Sequence, residues 1–268
     1  DESATWALLG SLAARELWDD SSFHALNAGN VRRLRALGAL SALQMALLSL
    51  ASSHVHRGQL DAADACYAEV RSLNHAIAGS SDLNDLVDLQ LRAWRGDESV
   101  RETAEGVEVF SHAIGFGSGV VIAQLAVSTL ELGAGNYEAA LASARNVLGS
   151  EDGVFNHLGT ECRALVDVIE AATLAGRTDE AEAAFARLAP RLRVSGTSWA
   201  RGIHARLAAL VAPDDEAPAL FDEAIEHLEQ TEVTTDLART HLLYGERLLA
   251  RRRTAQARES LRTAHDLF

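Results

Sequence analysis

The chain has 268 residues, enough for one large domain, two ordinary ones or a repeat array, and only 5% of them are aromatic. Net charge is −14, and all 24 basic residues are arginine. A surface so acidic repels phosphate backbones, and a GxxxxGK[ST] phosphate loop has no lysine to use, so direct nucleic-acid binding and a nucleotide P-loop are both excluded from this segment.

The N-terminal stretches Trp6–Leu17 and Phe23–Leu37 read as helical but keep the later pattern poorly, with Gly29 and Arg32 where apolar residues belong. Residues 1–37 are therefore expected to form an irregular capping unit. Leu37–Val55 is the most apolar run, but Gly38, Ser41, Gln44, Ser49, Ser52, Ser53 and His54 interrupt it, and no membrane span is expected. No signal peptide is visible, and the first residue, Asp1, suggests an excised piece. Cys66 and Cys162 are too few and too far apart for a disulfide framework and read as reduced thiols of a cytoplasmic protein.

From residue 38 onwards the chain repeats. The first apolar residue after each turn is Ala63, Val100, Ala140, Ala181, Ala217 and Ala257, in steps of 37, 40, 41, 36 and 40. Four and seven residues beyond these anchors stand Tyr67 and Val70, Ala104 and Val107, Ala144 and Val147, Phe185 and Leu188, Phe221 and Ala224, Leu261 and Ala264. All are apolar, and the spacing 0, +4, +7 marks one helical face. Turn residues precede the anchors at Arg57-Gly58, Arg95-Gly96-Asp97, Gly133–Asn136, Gly176–Asp179 and Pro213–Asp215. Upstream of the turns lie further striped segments: Leu83–Trp94, Val120–Leu132, Leu158–Ala175, Trp199–Val211 and Asp236–Ala250.

Each repeat is thus a helical hairpin, and one hairpin cannot bury its own apolar face. The expected fold is all-α, a right-handed solenoid of about seven antiparallel helix hairpins forming one tetratricopeptide-like domain over 1–268. Small residues at the anchors and at Gly245 let paired helices approach closely. Pro190 falls inside a predicted helix and is expected to kink it.

Two stretches, SGTSWARGIHARLAALV (195–211) and DLARTHLLYGERLLARRRTAQARESLRTAHDLF (236–268), resemble the C-terminal tetratricopeptide-like region of large ATP-binding LuxR-family regulators, the MalT-like STAND proteins. GALSALQMALLSLASSHVHRGQLDAA (38–63) and AQLAVSTLELGAGNYEAALASA (123–144) fit the same family more loosely. The resemblance implies a sensor and regulatory module with no cofactor in this segment. ATP would bind in an N-terminal module of the parent, and a helix-turn-helix would follow. The implied partners are those neighbouring domains and a small-molecule or protein effector, with a homodimer as a further state. A stand-alone adaptor for a peptide or protein partner is the alternative, and neither reading is an enzyme.

In solenoids of this kind the first helix of each hairpin lines the concave face. Gln124, Asp167, Glu170, Trp199, His204, His241 and Tyr244 are the ligand-binding candidates there. Asp167 and Glu170 share a face at i, i+3 and suit a cationic group, or form an ordinary solvated acidic face. Trp199 suits stacking on a ring, or packs between repeats; His241 and Tyr244 carry the same pair of readings. Arg251, Arg252 and Arg253 form a basic run after a helix, either a cap or a dock for an acidic neighbouring domain. His54 and His56 diverge on a helix and cannot chelate together, neither cysteine has a CxxC partner, and nothing forms a nucleophile elbow; neither a metal site nor a catalytic one is expected.

Overall fold

The computed structural model describes residues 2–78, 82–149 and 158–268. Among them are fourteen α-helices, one 3-10 helix and no strand. In chain order these are α1 (Glu2–Glu16), α2 (Asp20–Leu37), α3 (Leu40–His56), α4 (Leu60–Ala78), the 3-10 helix Asp82–Leu86, α5 (Leu89–Trp94), α6 (Val100–Ile114), α7 (Gly117–Ala134), α8 (Tyr137–Gly149), α9 (Leu158–Leu174), α10 (Thr178–Ser195), α11 (Ser198–Val211), α12 (Ala217–Leu228), α13 (Thr234–Ala250) and α14 (Thr254–Leu267). They fall into two compact units, Asp1–Ala63 with Ala189–Phe268, and Asp64–Leu188.

In the second unit α7 is the hub, packing against α5, α6, α8 and α9. Its Ala123, Ala126 and Leu130 close on Leu89 and Ala93 of α5 and on Val100, Ala104 and Val107 of α6. From Ala164 to Ala172 every residue of α9 is buried, as befits a helix with neighbours on all sides. In the first unit α1, α2 and α3 pack in sequence, as do α11, α12, α13 and α14, and α13 also meets α3.

The repeat register predicted from sequence is the one that packs. All six anchors, Ala63, Val100, Ala140, Ala181, Ala217 and Ala257, are at most 1% exposed. Every +7 residue is buried too; at +4 only Phe185 and Leu261 are partly open.

Three local expectations are corrected. Leu83–Trp94 is not one helix but the 3-10 helix followed by the short α5. The N-terminal 37 residues are more regular than expected: α2 has its stripe two residues earlier than the reading placed it, with Phe23, Asn27, Asn30, Val31 and Leu34 buried. Its polar members are accommodated, since Asn27 donates to the Phe23 carbonyl at 2.7 Å and accepts from the Ser11 hydroxyl at 2.9 Å. The helix that has the length and apolar composition to cross a membrane is α7, not Leu37–Val55, with a mean hydropathy of 1.3 over 18 residues and half of that window buried inside the protein. It also carries Gln124, Ser128, Thr129 and Glu131, as a core helix can. Pro190 lies within α10, which runs on to Ser195.

Small residues sit where helices touch. A Cβ placed on Gly245 of α13 would lie 2.6 Å from Leu261 Cγ and 3.3 Å from the Ala257 carbonyl oxygen of α14. Gly202 of α11 repeats the arrangement on α12, 2.5 Å from Leu228 Cγ and 3.2 Å from the Ala224 carbonyl. Ala257 is a repeat anchor, so the alanine after the turn and the glycine opposite it are two halves of one close crossing.

Six of the hairpin turns share one closure, while α11 ends on the extended Ala212. After α3, α5, α7 and α9 a glycine takes a positive φ, at Gly58, Gly96, Gly135 and Gly176. The next residue's N–H returns to a carbonyl five positions earlier, as in Asn136 N–H to Glu131 and Arg177 N–H to Ala172. After α1 and α13 the same closure is made by Trp18 at φ 54° and Arg252 at φ 60°. A side chain in that region costs about 1–2 kcal/mol.

Two predictions follow from these backbones. Gly202→Leu and Gly245→Leu should each destabilise by about 3 kcal/mol or more, because a backbone carbonyl and a leucine branch point must both yield. Arg252→Gly should stabilise by roughly 0.5–1 kcal/mol, relief of the strain less the extra unfolded-state entropy of glycine. Chemical denaturation of the three variants checks both signs.

Candidate functional site

Successive first helices are tied together by polar contacts spaced about one repeat apart. Gln90 of α5 donates to the Thr129 hydroxyl of α7 at 2.8 Å, and Ser128 of α7 donates to Asp167 of α9 at 3.0 Å. Trp199 of α11 donates through Nε1 to Asp236 Oδ2 of α13 at 2.9 Å. In the first unit this last rung is the centre of the most elaborate buried cluster.

Asp236 lies in the first turn of α13, where the helix N-terminus favours an anion. Its second oxygen accepts from Arg206 Nη1 at 2.9 Å, and its backbone carbonyl accepts from the same Nη1 at 3.2 Å and from the Thr240 hydroxyl at 2.7 Å. Arg206 and Asp236 side chains are 1% and 3% exposed, so the pair is out of water and each charge depends on the other. Arg206 follows Trp199 at i+7, which puts both on the side of α11 that meets α13.

The N-terminal helices are pinned to this cluster. The edges of Trp18 and His56 meet the Trp199 ring at centroid distances of 5.0 and 5.2 Å. Thr197, the N-cap of α11, accepts from Ala200 N–H and gives its own hydroxyl proton to the Trp18 carbonyl at 2.8 Å. Ser195 donates to the Leu17 carbonyl and Thr235 to the His56 carbonyl. Hydroxyls at the end of α10 and at the starts of α11 and α13 therefore satisfy carbonyls left over at the ends of α1 and α3. Arg57 completes the seam, reaching Asp20 of α2 at 3.4 Å and Glu232 just before α13.

The sequence candidates divide between the units. In the second unit Gln124 is half-buried and donates to Glu108 at 2.6 Å. Asp167 and Glu170 are 1% and 2% exposed, which rules out the solvated acidic face; Asp167 also has Arg163 at 3.4 Å. Their partly apolar flanks on α9 gave no warning of full burial. In the first unit Trp199 is a packing residue, 4% exposed. His241 is half-buried with Nδ1 3.3 Å from the Ser260 hydroxyl, and Tyr244 stacks on Phe221 at 4.9 Å. His204 is half-buried as well, and burial with Arg193 nearby holds its imidazole below the usual range. Arg251 is the C-cap residue of α13 and pairs with Asp214; Arg252 and Arg253 are exposed. Trp18, His56, Arg206 and Asp236 went unassigned in the sequence, although the 37-residue step from Trp199 to Asp236 is one repeat and signals their meeting.

Among the described residues no group of three His, Cys, Asp or Glu stands together as a metal site, and Cys66 and Cys162 form no disulfide.

No protein-family model matches the chain, and no curated protein matches it. Among solved structures it is similar to a tetratricopeptide repeat protein from Parabacteroides merdae, at 15% identity and a TM-score of 0.47, covering 100% of this chain and 94% of that one. At that score the likeness supports nothing alone, and the hairpin architecture stands on the helix pairs themselves.

Removing one charge of the buried pair leaves the other uncompensated. Asp236→Ala should cost about 3–5 kcal/mol, and the double change Arg206→Met with Asp236→Leu distinctly less than either single change, as a double-mutant denaturation cycle would show. Acid is expected to loosen the seam. Burial, with Arg57 and His54 alongside, depresses the His24 imidazole, and His24 Nδ1 lies 3.0 Å from the Ser53 hydroxyl. A base depressed in the fold contributes stability that is complete above its unfolded value of about 6.5 and is lost as pH falls towards the folded value. Melting temperature should therefore drop as pH falls below about 6.5, and His24→Gln should shallow that drop.

Proposed function

We propose that this chain is a non-catalytic helical-repeat scaffold, the sensor and regulatory module of an ATP-binding LuxR-family regulator of the MalT-like kind. The observation that carries the reading is the coincidence of two things. The stretches that carry the family resemblance, 195–211 and 236–268, fold into α11, α13 and α14, and their Trp199, Arg206 and Asp236 make the buried cluster onto which the N-terminal helices are pinned. What the resemblance preserves is a rigid presentation surface, since dispersed half-buried side chains on successive first helices are held in place by the rungs between them. Such a surface binds by accumulating contacts from several repeats, and an effector acts by favouring one arrangement of the parent over another.

His241 and Tyr244 on α13 and His204 on α11 are the effector-facing residues of this reading in the first unit, and Gln124 in the second. ATP belongs to the parent's N-terminal module, and no residue here is assigned to it.

The encoding frame tests the parent: a P-loop upstream and a helix-turn-helix downstream are expected, and a frame with neither leaves the adaptor reading. Effector sensing is tested by thermal shift of the protein against panels of metabolites and peptides. One member should raise the melting temperature, with affinity reduced roughly tenfold by His241→Ala or Tyr244→Ala. Indifference to the whole small-molecule panel overturns the small-molecule form of the proposal.

A further inference from the structure

The first unit holds two sets of helices, each with buried apolar residues of its own. In the N-terminal set α2 packs against both α1 and α3, and Phe23, Val31, Leu34 and Leu47 are buried there. In the C-terminal set α11 packs on α12 and α13 on α14, with Ile203 and Phe221 fully out of water. Both sets have the kind of interior that holds helices together without help from outside.

The seam between the sets is of another kind. Hydroxyls of Ser195, Thr197 and Thr235 donate to the carbonyls of Leu17, Trp18 and His56, and Arg57 reaches Asp20 on one side and Glu232 on the other. Water serves a helix-end carbonyl nearly as well as a hydroxyl does, so such bonds fix the register of two bodies more than they bind them. The aromatic part is confined to the edges of Trp18 and His56 against the Trp199 ring.

Docking also has a cost on the N-terminal side. Trp18 is held in the left-handed backbone region, where a side chain is strained, and its burial on Trp199 is what compensates. The Arg57 guanidinium is 9% exposed, and its buried Nε has no hydrogen-bond partner. Separation of the sets gives that N–H to water and lets Trp18 relax. A thin polar seam with strain on one side, set between two apolar interiors, is the place where a protein opens first.

We propose that α1–α3 are a latch, docked on the starts of α11 and α13 and able to come away from them while both sets stay folded. Closed, the latch covers Trp199 and Thr235, which are 4% and 5% exposed. Open, it turns the indole and the hydroxyls of Thr197 and Thr235 to water, so one state has a surface that the other lacks. Whatever binds only the open surface, or only the closed seam, then sets the balance between them. The latch is a property of this chain and does not depend on which parent carries the module.

Hydrogen exchange of the full chain, read by mass spectrometry at denaturant concentrations below the unfolding transition, is the test. Amides at both sides of the seam, at the ends of α1 and α3 and the starts of α11 and α13, should gain exchange together and before those of α2, α12 and α14. Ser195→Ala with Thr235→Val removes two donors and should speed exchange at the seam roughly tenfold or more, with α12 and α14 unchanged. In the other direction, a Cβ at Gly58 would lie 3.3 Å from the Thr234 Cβ, close to disulfide reach, so Gly58→Cys with Thr234→Cys can bridge the seam. The oxidised form should exchange roughly tenfold or more slowly there than the same variant reduced. Melting curves establish that each variant is folded. Seam amides that exchange only together with the whole chain, a double variant that speeds both interiors as much as the seam, or a bridge that leaves exchange at the seam unchanged overturns the proposal.

Discussion

A pair of helices joined by a short turn has more apolar surface than it can cover, and the spacing of that surface along the chain decides everything built on it. Here the spacing holds the anchors and their +7 residues at one side of each second helix, so backbones meet at Gly245 against the anchor Ala257 and at Gly202 against Ala224, seven residues past its anchor. A glycine without a Cβ leaves room there for a leucine of the facing helix, Leu228 over Gly202 and Leu261 over Gly245. Burial of about 25 cal/mol per Å² of apolar surface does the stabilising, and geometry does the selecting.

Burial alone does not fix which hairpin follows which. The polar rungs Gln90–Thr129, Ser128–Asp167 and Trp199–Asp236 do so, because a misregistered neighbour would leave a buried carboxylate or indole N–H without a partner. In the first unit the same logic extends to the N-terminal helices. Their free carbonyls find hydroxyls on α11 and α13 and their aromatic edges find Trp199, so docking satisfies polar ends and packs rings at once.

The second-helix register was legible because it depends on small and apolar residues at a period that any reader of the sequence can count. The polar cluster was half legible. Trp199 and Asp236 are one repeat apart, yet nothing local tells that Trp18 and His56, well over a hundred residues earlier, close on the same indole. Asp167 and Glu170 misled for a related reason: a carboxylate at i, i+3 looks like a wet face until one knows that α9 has neighbours all round. The α5 region misled by its apolar stripe, which continues through a 3-10 stretch that periodicity does not distinguish from a helix.

The exclusive use of arginine belongs to the same physics. Arg247 of α13 bonds the Ala209, Leu210 and Ala212 carbonyls and Asp214 together, gathering the open end of α11 into one planar group. Arg145 and Arg177 each hold a carboxylate on another second helix with two N–H groups. An ammonium on a flexible stem has neither the fork for the carboxylate nor the breadth to span several carbonyls. Stacked hairpins present helix ends and flat carboxylates at every joint, and a side chain with five donors in one plane serves both.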